Sequence, residues 1–136
     1  MIHQHIESER QLTIHTCSGT ILKQELIDVL KVLYASELTP NHLWNLTETD
    51  FSQIKGDDLK EIAKFAKQYA PTRIGRRTAL VSASNVGFGL SRMFEVFAEN
   101  AGLPVEISVF RSPEEAEEWM STVPGEDVAK QLFQTT

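Results

Sequence analysis

The chain has 136 residues, 41% apolar and 24% charged, the size and composition of one ordinary globular domain that can bury a core without disulfides or metals. A formal net charge of −6 and a pI near 5.2 make its long-range field repel polyphosphate, which argues against nucleic acid as a partner. The apolar runs are too short to span a membrane, the N-terminus has no signal-peptide pattern, and the lone Cys17 suits a reducing compartment, so a cytoplasmic location is expected.

In chain order, the first eighteen residues read as a hairpin, with Ile2 and Ile6 alternating with polar residues before a turn at 8–10 and Leu12 and Ile14 alternating after it. Pairing Ile6 with Leu12 is the expected register. Gly19 and Thr20 read as the end of the strand and an N-cap. Leu22, Leu26, Val29, Leu30 and Leu33 then recur at helical spacing, to about Ala35. Leu43 to Leu46 reads as a short strand, and Thr47 to Gly56 as a long polar connection of the kind that often carries function. Asp57 is the expected cap of a second helix with an inward stripe of Leu59, Ile62, Ala63, Ala66 and Tyr69, ended by Pro71.

Thr78 to Ala83 reads as a strand buried on both faces, after which Ser84 caps a third helix that turns Leu90, Met93, Phe94, Phe97, Ala98 and Ala101 inward and stops at Gly102 and Pro104. Val105 to Phe110 alternates as a strand near an edge. Ser112-Pro113-Glu114-Glu115 combines a capping box with proline at N1, opening a fourth helix with Ala116, Trp119 and Met120 on one side. Residues 122–136 read as a C-terminal extension with a short helix near Val128 to Phe133. Strand–helix alternation after an opening hairpin predicts a single α/β domain over 1–136, with a five-stranded, mostly parallel sheet and four main helices.

Particular residues extend this pattern to a known family. The hairpin leading to Gly19, Leu43-Trp44-Asn45-Leu46, the run Gly87-Phe88-Gly89-Leu90-Ser91-Arg92-Met93-Phe94-Glu95, and Val109-Phe110-Arg111 followed by Glu115-Ala116-Glu117-Glu118-Trp119 resemble the SpoIIAA-like branch of the STAS family, with its STAS/CRAL-TRIO-type fold. That resemblance implies a regulatory or binding module. In sigma-factor regulators of the wider family a phosphorylatable serine in an Asp-Ser pair starts the second helix; here that place reads Gly56-Asp57-Asp58-Leu59, and Ser52 in the preceding loop is the candidate phosphosite.

Parallel α/β sheets tend to bind ligands at the carboxyl ends of their strands, where helix N-termini present free amides. The candidate ligand site is therefore Asn45 with Ser84, Asn85, Gly87, Phe88, Gly89 and Arg92: a glycine-bearing turn and a cation for an anionic or amphipathic head group, with Trp44, Phe88 and Met93 for an apolar tail. The competing explanation is structural, with the glycines allowing close packing and Arg92 pairing with a surface acid. Two glycines do not make a dinucleotide fingerprint, and neither Ser82 nor Ser84 sits in a nucleophile elbow, so no catalytic residues are assigned.

The expected hairpin register places His3, His5, His15 and Cys17 on one face. Such a face could hold zinc, but polar residues on an edge hairpin ordinarily face water, and neither a metal nor a cofactor is assigned. Arg73, Arg76 and Arg77 form the one basic cluster, read as a solvated loop or a partner contact. The function expected is non-catalytic binding or regulation through a protein partner or homodimer; the alternative is a carrier or sensor of a small amphipathic or anionic ligand at the 84–92 turn, and an enzyme comes third.

Overall fold

The computed structural model describes residues 1–36, 39–69 and 77–121; the expected tail helix, Pro71, Arg73 and Arg76 lie outside them. Strand β1 (Ile2–Glu7) passes through a 3-10 turn at Ser8–Arg10 into β2 (Leu12–Thr20). Then follow α1 (Lys23–Ser36), β3 (Asn41–Asp50), α2 (Gly56–Tyr69), β4 (Arg77–Val81), α3 (Asn85–Ala101), β5 (Glu106–Phe110) and α4 (Pro113–Met120). The sheet order is β1-β2-β3-β4-β5, with β1 antiparallel to β2 and every other pair parallel. This is the mostly parallel α/β sheet with four helices that the alternation predicts.

Parallel strands that advance one place at a time in one direction carry their crossover helices to one face of the sheet. Accordingly α1, α2 and α3 cover one side, where Ile21, Leu33, Leu59, Trp44 and Leu80 form a core with Cys17 and Ile54. On the other side α4 seats Ala116 against Leu12, Leu43, Ala79 and Val81, with Trp119 and Met120 beside it. The period-2 alternation of the strands divides the two cores: in β4, Leu80 belongs to the three-helix side, Ala79 and Val81 to the α4 side.

Several caps are those expected. Ser84 accepts a hydrogen bond from the Gly87 amide at 3.0 Å, Gly102 ends α3 in the left-handed region at φ 77°, and Ser112 accepts from the Glu115 amide with Pro113 in the first turn. The second helix is capped differently. Its first residue is Gly56, two before the start that a cap at Asp57 implies, and Asp58, not Asp57, reaches back to accept from the Lys55 amide at 2.8 Å. The first helix begins at Lys23, with Thr20 still in β2, and Leu22 is 48% exposed instead of inward because it precedes the helix, its amide bonded to the Glu25 carboxylate.

Two strand expectations are corrected. The hairpin pairs Glu7 with Leu12 and Ile6 with Thr13, one residue away from the expected register. The cause is the turn: Gln11 takes a left-handed conformation at φ 53° and its amide closes on the Ser8 carbonyl, giving a four-residue loop. A one-residue slip exchanges faces. And β3 does not stop at Leu46 but runs to Asp50, because β2 continues beside it past an irregularity at Thr16/Ser18, pairing Ser18 with Glu48 and Thr20 with Asp50. Met93, expected inward on α3, is 41% exposed.

Candidate functional site

Between the sheet and α1, α2 and α3 lies a cavity of about 140 Å³. Its floor is built by alternate residues of the central strands: Trp44 and Leu46 follow His42 at intervals of two in β3, and Thr78 and Leu80 do so in β4. Leu30 and Leu33 of α1, Leu59 and Ile62 of α2, and Leu90 and Phe94 of α3 close over them. The wall is mainly hydrocarbon, with polar groups at Tyr34, His42, Thr78, Ser91 and the indole N–H of Trp44 among the described lining residues.

At the β2 side of the floor stands a buried aromatic stack. The His15 ring, with no exposed surface, lies 4.0 Å from the Trp44 ring and 5.2 Å from that of His42. A hydrogen bond of 3.0 Å joins His15 Nε2 to His42 Nδ1, and His15 Nδ1 has no partner. Burial, with the nearby charge of His42, pushes the His15 pKa down to about 3, so the imidazole stays neutral. Cys17, two residues along the same strand face, is also buried, and its thiol is pushed up to about 12 by that burial.

The 84–92 turn is arranged otherwise. Only Leu90 and Ser91 of this segment line the cavity. Ser84 is occupied with its cap, and Arg111 occupies the outer surface of the turn: it donates to Asn85 Oδ1 at 2.9 Å and to the Ala83 carbonyl at 3.3 Å, and lies 4.1 Å over the Phe88 ring. Arg92 is 60% exposed and pairs with Glu95 on its own helix at 3.2 Å. Asn45 accepts from both the amide and hydroxyl of Thr47, on the strand face of Leu43 and away from the cavity. A Cβ on Gly87 would stand 2.9 Å from Phe51 and about 3 Å from the Ser82 and Ser84 hydroxyls, whereas one on Gly89 would meet nothing. Gly87 therefore brings the start of α3 against the turn after β3. The structure thus brings together Ser84, Asn85, Gly87 and Phe88, but gathers neither Asn45 nor Arg92 with them.

No protein-family model matches this chain, and no curated protein does. Among solved structures it is similar to an uncharacterised protein of the DUF3478 family with a SpoIIAA-like fold, from Shewanella loihica PV-4. The TM-score is 0.52 at 16% identity, covering 88% of this chain and 92% of that one. The chain has a SpoIIAA-like fold.

Within this SpoIIAA-like fold the other singled-out residues fall apart as a group. The shifted register sets His3 and His5, both exposed, opposite Thr16 and Ile14, while His15 and Cys17 of β2 face the three-helix core, so the four do not share a face. Among the described residues no three His, Cys, Asp or Glu side chains come close enough to hold a metal. Ser52 is exposed, its amide bonded to the Asp50 carboxylate at 2.9 Å. That bond first, and the Thr20 hydroxyl after it, hold the Asp50 carboxyl below its ordinary pKa. A phosphate on Ser52 would therefore face like charge.

Arg77 corrects the reading of the basic cluster. It is 4% exposed, pairs with Glu106 at 3.2 Å, donates to the Trp119 carbonyl and lies over the Trp119 ring, tying α4 to β4 and β5. No helix among the described residues is long and apolar enough to cross a membrane. The cavity itself escaped the sequence reading, although one signal for it is present: a period-2 count along β3 sets His42, Trp44 and Leu46 on one face.

Proposed function

We propose that this protein is a binding module for a small, mainly apolar molecule held between the sheet and helices α1, α2 and α3. The cavity of about 140 Å³ is the observation that carries this reading. A hydrocarbon-lined space of about 150 Å³ in a protein core takes up benzene-sized guests, and apolar pockets with a few polar groups are the usual form of a small-molecule site. The floor is made of strand side chains, while the roof belongs to three helices. A ligand here contacts side chains of both, well inside the 84–92 turn.

The test is native mass spectrometry of freshly purified full-length chain, beside Ala66→Leu, which places three more carbons at a buried residue of the cavity wall. The wild type is expected to carry a small bound mass that Ala66→Leu lacks. Bare wild-type protein that also gains no apolar guest when titrated would sink the reading.

A second reading is favoured by one surface feature. Val86, Met93 and Val96 are exposed at 67%, 41% and 49% along the outer face of α3. Such a stripe suits contact with a protein partner or a second copy of the chain, and the same spectra would then show an added polypeptide mass.

A further inference from the structure

The polar residues of the cavity are not equivalent. Ser91 is engaged with the Ser82 hydroxyl at 3.3 Å, His42 with His15, Trp44 is stacked on the His15 ring and Tyr34 near Phe65. Thr78 differs from them. It is half-buried where β4 enters the floor, is paired with His42 across the β3–β4 ladder, and no hydrogen bond joins its hydroxyl to another described residue. A valine would pack a sheet floor equally well, since it has the same branched shape. A hydroxyl facing hydrocarbon carries a desolvation cost unless something in the cavity bonds to it.

Charge is disfavoured in the same place. No carboxylate, ammonium or guanidinium belongs to the described lining residues, so an ionic guest would lose its hydration without gaining a counter-charge. The neighbouring His15 shows the same penalty, its charged form suppressed by burial. Size sets a further bound, because about 140 Å³ accommodates a single ring or a short branched chain.

We propose that the guest is a small uncharged molecule, about one ring in size, carrying a single hydrogen-bonding group that the Thr78 hydroxyl meets. This rests on the cavity reading above and adds to it the class of ligand.

Phenol, toluene and benzoate share a ring and differ in the group attached, so they separate the terms. Each is titrated at neutral pH into the isotope-labelled full chain, wild type and Thr78→Val, following backbone amide shifts. Phenol is expected to shift cavity-lining residues and to bind about fivefold more tightly than toluene, the ratio one net hydrogen bond gives. Thr78→Val should remove that preference while keeping toluene bound, and benzoate should not bind. Benzoate binding as tightly as phenol, or a phenol preference that survives in Thr78→Val, overturns the proposal. If toluene and phenol bind alike to the wild type, only this proposal fails; if none of the three moves a cavity-lining residue, the cavity reading fails with it.

Discussion

Gly87 and Gly89 stand two residues apart on one helix and answer to different constraints. At Gly87 the missing Cβ is a spatial necessity, with Phe51, Ser84 and Ser82 all at about 3 Å from where it would be. At Gly89 the space is open and the residue only weakens its helix. Gly87→Ala is therefore expected to destabilise the chain by about 1–3 kcal/mol through overpacking, and Gly89→Ala to stabilise it by roughly 0.5–1 kcal/mol. Urea denaturation of the two variants beside the wild type measures both, and equal effects of the same sign would refute the distinction. At this scale the sequence identified the segment but not the division of labour. The pattern Gly-Phe-Gly looks alike at both ends, and what differs is the neighbour, Phe51, brought in from a turn thirty-six residues earlier.

The elements were legible where local chemistry decides them and illegible where a partner does. Ser84, Gly102 and Ser112 each set a helix end through bonds to atoms within a few residues, so their roles could be read in advance. The hairpin register depended on Gln11 adopting a left-handed conformation, which its side chain does not announce, and β3 gained its last four residues from continued pairing with β2. Helix α3 illustrates both cases. Its inward stripe follows the 3.6-residue period, but Met93 falls at the border and joins Val86 and Val96 on the outside. If that outer stripe is an interface, Val86→Glu combined with Val96→Lys should leave the unfolding midpoint nearly unchanged, since exposed positions off the core have small effects. The same pair should abolish any concentration-dependent mass seen by light scattering. Self-association that persists in the double variant places the contact elsewhere.

Considered as a whole, the molecule is a sheet with two unequal cores, and His15 ties the larger one to pH. Its pairing with Trp44 in the β2–β3 ladder turns this histidine toward the three-helix side, where it stacks on Trp44 and bonds to His42. Its folded pKa of about 3 lies below the ordinary histidine value of 6.5, so between those values the unfolded chain takes up a proton that the folded chain refuses. The stabilisation from keeping His15 neutral is thus complete above about pH 6.5. It falls by up to about 1.4 kcal/mol per pH unit on acidification and levels off once the folded form also protonates. Carboxylates contribute their own acid dependence, so the informative quantity is the difference between wild type and His15→Phe, which keeps a ring against Trp44 and removes the titrating group. Unfolding free energies measured by urea titration at pH 7, 5.5 and 4.5 should decline less steeply in His15→Phe, by close to one proton's slope below pH 6. Parallel declines in the two proteins would mean that His15 opens to solvent before it charges, and the core around Trp44 would then be the first part of the sheet to loosen in acid.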